Sequence, residues 1–139
     1  MNWNHFLIVS GAIILVRLCI AAYKVFPKEW TNARLKAIQV GGLYGEEGKD
    51  GLFRVCKVLA LDRHAVHVRI YKNKFTALPN TTDMQQLSLG AIGDSDGFGI
   101  GHVPIQRTGW LDRHTFLKLE SVSEDELEGY RIYLEAMND

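Results

Sequence analysis

The sequence predicts a mainly β fold of the α+β class: a small antiparallel SH3-like barrel or sandwich, with an apolar helix before it and an amphipathic helix after it. Three observations carry that expectation. Ten of the thirteen glycines fall between Gly41 and Gly101, where they mark turns and bulges. Between them the apolar residues alternate with period two, the repeat of a strand with one buried face. No long helical pattern separates the strand candidates, which points to an antiparallel sheet rather than one built from crossovers.

The first element is Phe6 to Phe26, a nearly uninterrupted apolar run of 21 residues, twelve of them Phe, Leu, Ile or Val. A spanning helix needs about 20 predominantly apolar residues. On an insertion scale those twelve contribute about −4 to −7 kcal/mol, and Arg17 near the centre costs about +2.5 to +3.5. The balance favours a span. Starting it near Trp3 moves Arg17 off centre and lets its guanidinium reach toward the interface. Trp3 at one end, with Tyr23 and Trp30 at the other, then serve as interfacial anchors.

Two other readings stay open for this run. A cleavable signal peptide needs a basic start, yet Met-Asn-Trp-Asn-His carries no Lys or Arg. A core or partner-docked helix would place Ser10, Arg17 and Lys24, seven apart, on one wet stripe. If the run spans, Lys24, Lys28, Arg34 and Lys36 on its C-terminal side keep the main domain in the cytoplasm.

Within the body, Gly42-Leu-Tyr44 reads as a strand closed by the turn-rich Gly45 to Gly51. Leu52 to Leu61 places Phe53, Val55, Leu59 and Leu61 on one face, interrupted by Lys57. Ala65 to Lys72 sends Val66, Val68 and Ile70 one way, and His67, Arg69 and Tyr71 the other. Asp62-Arg-His64 between these two is short enough for a hairpin. After a loop at Leu78-Pro-Asn80, Leu87-Ser-Leu89, His102 to Ile105 and Thr115 to Leu119 read as short strands. The chain closes on a helix in which Ser123 is a good N-cap and Glu126 completes a capping box. Leu127, Tyr130, Leu134 and Met137 fall on one face of that helix, which therefore docks on something.

This gives an apolar helix over residues 1–30, a basic linker over 31–39, a β domain over 40–120 and an acidic helix over 121–139 packing on it. At 139 residues there is room for one compact domain plus an appendage, and 47% hydrophobic residues with three prolines argue for a folded chain. Formal charge is zero but segregated. From Glu120 onward seven acids face one base, Arg131, while residues 1–119 carry fifteen bases against nine acids. The plainer account of the tail is a solvated helix face. Cys19 and Cys56, one in the apolar run and one in a strand, exclude a disulfide scaffold.

No spacing here implies a metal, a cofactor or a small-molecule substrate. Gly97-Phe-Gly-Ile-Gly101 lacks the strand-before, helix-after context of a phosphate loop. Asp94-Ser-Asp-Gly97 lacks the downstream ligands of a calcium loop and fits a turn held by Asp side chains. His64 and His67, three apart on a strand, point to opposite faces. The best binding candidate is Arg69, Tyr71, Lys72, Lys74 and Phe75, three bases interleaved with two aromatics at a strand end. It suits an acidic protein partner or, alternatively, nucleic-acid phosphates and bases. Its plainer reading is a solvated strand end covered by the acidic C-terminal helix.

Lys57-Val-Leu-Ala60, Val66-His-Val-Arg69, Leu87-Ser-Leu-Gly90 and Gly97-Phe-Gly-Ile-Gly-His102 followed by Pro104 resemble a family of small uncharacterised bacterial proteins. The resemblance covers residues 40 to 135, including Glu126-Leu-Glu-Gly-Tyr130. It implies a bacterial, stand-alone, largely soluble domain and brings no catalytic or binding residue with it; the apolar N-terminal run departs from it. The functional expectation is a non-enzymatic binding protein at the bacterial inner membrane, facing the cytoplasm, and most concretely an immunity-type protein that neutralises a toxin. The alternatives are an SH3-like nucleic-acid-binding module, an enzyme with a dispersed site around Asp94 and His102, and a cytoplasmic soluble location.

Full-length protein is expected to pellet with membranes and resist carbonate and high salt, while a chain starting at Ala37 stays in the supernatant. Full-length protein that remains monodisperse without detergent overturns the spanning helix.

Overall fold

A computed structural model of the chain describes residues 37–110 and 112–138. The expected N-terminal helix, with Trp3, Arg17, Tyr23 and Trp30, lies outside the described residues. Among those described, no helix is long and apolar enough to cross a membrane.

Five strands form where the period-two pattern places them, with one exception. They are β1 (Gly42–Glu47), β2 (Phe53–Leu61), β3 (Ala65–Phe75), β4 (Ile100–Gln106) and β5 (His114–Leu119). All pairings are antiparallel, in the order β4-β3-β2-β1-β5. The Asp62-Arg-His64 hairpin forms, with Asp62 accepting from the backbone N–H groups of His64 and Ala65 at 2.7 and 2.6 Å.

The sheet is open, and this corrects the SH3-like closure expected above. Among the described residues β4 pairs with β3 alone and β5 with β1 alone. Pro104 within β4 has no N–H to donate, which suits an edge strand and opposes further pairing.

The exception is Leu87-Ser88-Leu89, which is loop rather than strand. It runs beside β3, where Ser88 accepts the Lys72 N–H at 2.9 Å and donates its own N–H to the Asn73 side chain at 2.8 Å. An amide side chain thus replaces the next rung of the ladder. Just before it, Thr81–Met84 forms a one-turn helix, α1, closed by a reciprocal cap between Asn80 and Asp83. Four residues are too few for a helical period to show in the sequence.

Each face of the sheet carries its own core. On one, Tyr44, Cys56, Val58, Val66 and Val68 are buried with Trp110, the last residue of α2 (Arg107–Trp110). Tyr44 meets Trp110 and Phe116 edge-on, with centroids 5.2 and 5.5 Å apart. On the other face Leu43, Val55 and Met84 pack with Tyr71, Phe75, Leu87 and Leu117. Lys57 lies opposite Leu43 on one side and Arg69 on the other, so this second face continues into a charged region.

The C-terminal segment enters through a 3-10 turn, Asp125–Leu127, and continues as α3 (Glu128–Asn138). Half of the expected capping box is present: Glu126 accepts the Ser123 N–H at 2.9 Å. The expected docking face is corrected. Leu134 and Met137 are exposed, and Tyr133 joins Tyr130 against the sheet instead. Only the first half of the helix bears on the strands, where Gly129 permits the approach. A Cβ there would lie 2.6 Å from the Cβ of His102.

Candidate functional site

Lys57 is the cation that interrupts the apolar face of β2. Its side chain is 5% exposed, and a buried ammonium needs a compensating anion. Among the described residues its acceptors come from the C-terminal segment: the Ser121 carbonyl at 2.7 Å and both Glu126 oxygens at 3.0 and 2.8 Å. Arg69 on the neighbouring strand adds a longer contact to Glu126 at 3.4 Å, and among the described residues its buried Nε has no acceptor. Burial by itself would raise the Glu126 carboxyl. The hydrogen bonds from Lys57 and Ser123, with the charges of Lys57 and Arg69, outweigh burial and hold it below the usual carboxylate range. Beside it, Tyr71 is pushed up to about 12, by burial first and the Glu126 charge second.

Next along the same face is a chain of three titratable groups. Asp62 Oδ2 lies 2.8 Å from His67 Nε2, and His67 Nδ1 lies 3.0 Å from His102 Nε2. The two imidazoles are parallel, and Tyr130 and Tyr133 tilt onto His67 at 4.6 and 4.9 Å. His67 is fully buried. The hydrogen bond from His67, followed by the N–H groups of Ala65 and His64, lowers Asp62 to about 2, so it is a carboxylate acceptor. That fixes the tautomers. His67 Nε2–H donates to Asp62, its Nδ1 accepts, and the N–H on His102 Nε2 donates to it. A 3.0 Å gap between nitrogens holds one hydrogen. His102 is lowered, by burial first and by the like charge of a protonated His67 second. His67, being fully buried, does not itself face solvent.

A third feature is the loop from Ser88 to Gly99. Lys72 reaches from β3 to bridge Asp94 at 3.0 Å and Asp96 at 2.9 Å. Asp94 also accepts the Ala91 N–H at 3.0 Å, and Gly99 donates to the Leu89 carbonyl at 2.7 Å. Gly90, Gly93 and Gly97 all have positive φ, so the turns depend on them. The Lys72 amine is raised by its two carboxylates. Asp94 is lowered, by the Ala91 N–H first and Lys72 second. This clip holds out two large apolar side chains: Ile92 is 89% exposed and Phe98 58%.

The sequence-predicted binding residues therefore scatter among these features. Arg69 belongs to the Glu126 cluster, Lys72 to the loop clip, and Tyr71 and Phe75 pack on the core. Lys74 is exposed at the end of β3. Asp94 and His102 join different clusters, one with Lys72 and the other with His67. The sequence reading did not find the His67–His102 pair, because only the β3–β4 register brings positions 67 and 102 together. Nor did it find Ile92 and Phe98, although both sit within a run of glycines and aspartates where an apolar side chain has little to pack on. Among the described residues no group of three or more His, Cys, Asp or Glu side chains is placed to hold a metal ion.

No family model, curated protein or solved structure matches the chain.

Two outcomes follow from the charged face. Lys57→Met alone strands Glu126 in a partly dry site and should cost about 3–5 kcal/mol in urea unfolding, whereas Lys57→Met with Glu126→Leu should recover most of it. A double variant as unstable as the single one contradicts the ion-pair account. The second outcome is pH dependence. His102 is lowered in the folded state, and so is His114, chiefly by burial. The unfolded chain then binds more protons, so their contribution is present above about pH 6.5 and lost as the pH falls below it. His102→Gln keeps an N–H toward His67 and removes one titration, so its urea midpoint should fall less between pH 7 and pH 5 than that of wild type. Parallel pH profiles would refute the assignment.

Proposed function

We propose that this domain is a non-enzymatic binding protein, tethered by residues 6–26 to the bacterial inner membrane with its β domain in the cytoplasm. Its most concrete form is an immunity-type protein that neutralises a toxin. The observation that carries the reading is the Lys72-clipped loop, which projects Ile92 and Phe98 from beside the sheet. Recognition residues are commonly held on loops by a rigid scaffold. A loop ordered before contact loses less conformational entropy on binding, so more of its contact energy appears as affinity. Exposed Lys74 lies on the strand that supplies the clip and extends the surface the sequence singled out.

The finer fold reading supports the same class. A meander whose fifth strand returns beside the first, in the order β4-β3-β2-β1-β5, is what a partly open SH3-like barrel requires. The nucleic-acid alternative has weaker support. Arg69 and Lys72 are already paired with carboxylates, and phosphate binding rests on cations that can release counterions. The enzyme alternative lacks a joint site, since Asp94 and His102 engage separate partners.

The immunity reading requires a large toxin gene beside this protein's gene; that toxin is the probe, and a neighbourhood without one overturns the reading. Co-expressed wild-type chain should restore growth, and a variant carrying Ile92→Asp and Phe98→Asp should not, while keeping the wild-type urea midpoint. With purified toxin the variant should lose about 2 kcal/mol or more, roughly thirtyfold in Kd. Equal rescue by the two proteins, or equal affinity, would rule out the loop as the recognition surface.

A further inference from the structure

The charged sheet face is arranged as a binding site whose occupant comes from the end of the same chain. Lys57 and Arg69 supply the cations, and among the described residues the acceptors of the Lys57 ammonium lie in the segment that follows β5. The segment is acidic through its 3-10 turn, Asp125–Leu127, with Glu126 as the residue read by both cations. It then lays Tyr130 and Tyr133 over the His67–His102 pair. Charge, helix and aromatic pair are thus matched to one surface.

Two details mark this segment as a ligand rather than a core element. No residue of α3 is buried, so little apolar burial holds the helix down. The cation site is also not saturated by its carboxylate: among the described residues Arg69 reaches Glu126 only at 3.4 Å and keeps a buried Nε without an acceptor. A buried donor left unmet is costly, and a better-fitting acidic group would relieve it.

We propose that the sheet face bearing Lys57, Arg69, His67 and His102 is a binding site for an acidic, tyrosine-bearing helical peptide, which residues 121–138 occupy as an internal ligand. This rests on the reading of the domain as a binding protein, and it concerns a surface separate from the Ile92 and Phe98 loop. The tethered segment acts at an effective concentration in the millimolar range, as short linkers do. A peptide in trans therefore competes poorly until the internal copy is weakened.

The probe is a fluorescein-labelled synthetic peptide of residues 121–138, added to full-length protein and followed by anisotropy. The internal copy is weakened by Gly129→Val, whose side chain would meet the Cβ of His102, together with Glu126→Gln. This opened protein should bind the peptide at least tenfold more tightly than wild type. A peptide carrying Glu126→Gln should bind the opened protein at least tenfold more weakly than the native peptide. If the opened protein lacks a cooperative urea transition, Gly129→Val alone takes its place. The Ile92→Asp, Phe98→Asp changes added to the opened protein should leave peptide affinity unchanged, which separates failure here from failure of the loop reading. A folded, opened protein that binds no more tightly than wild type, or that does not distinguish the two peptides, overturns the proposal and leaves the segment as ordinary packing.

Discussion

A buried ammonium on the second strand organises much of this domain. Lys57 sits where the alternation of β2 calls for an apolar side chain, and its stem lies beside Leu43 on the core face. A cation there is tolerable only if an anion reaches it, because an unpaired buried charge loses its hydration with nothing to replace it. Glu126 must therefore come to the sheet, and the chain after β5 must turn back across it. That requirement fixes where α3 begins, why Glu126 serves both Lys57 and the Ser123 N–H, and why Arg69 on the next strand points to the same spot. Truncating the pair on one side only is therefore worse than removing both.

The histidine pair solves a second problem on the same face. Once the segment is held by Glu126, its next turns lie over β3 and β4, and Gly129 is the residue small enough to touch His102. Two tyrosines then cover two imidazoles that share one hydrogen. The arrangement needs Asp62 to fix the tautomer, and Asp62 is available because it is the turn residue of the β2–β3 hairpin. A residue chosen for turn chemistry thereby also orients a buried ring. Acidification works against this face in a definite order. The lowered histidine loses its favoured neutral state first, and the carboxylates follow only at much lower pH because their partners hold them down.

The strands were legible in the sequence because a half-buried sheet writes its period directly into Val66, Val68 and Ile70. The one-turn helix after Asn80 and the loop at Leu87–Leu89 were not, since neither repeats long enough to show a period, and a side chain of Asn73 stands in for backbone pairing. Closure of the barrel was not legible either: alternation tells which residues share a face and says little about whether the outer strands meet. Of the site, Lys57 was visible as an interruption and the acids after Glu120 as an excess, and those two observations are the halves of one ion pair. What the sequence did not supply was the pairing itself. The same holds for His67 and His102, which only strand register brings together.

The two candidate surfaces differ in how they are kept ready, and the difference follows from charge. On the Ser88–Gly99 loop the cation holds the loop's own acids: Lys72 bridges Asp94 and Asp96 and leaves apolar side chains outward. Such a surface is complete without a partner and gains by burial alone. On the sheet face the cations are used for recognition, and the tethered segment supplies the counterion that a covered Lys57 needs. A cationic site built into a sheet this way has to carry its own anion when no partner is present. The short acidic segment joined directly to the last strand is counterion and internal ligand at once, and any external peptide must first match what the tethered copy already provides.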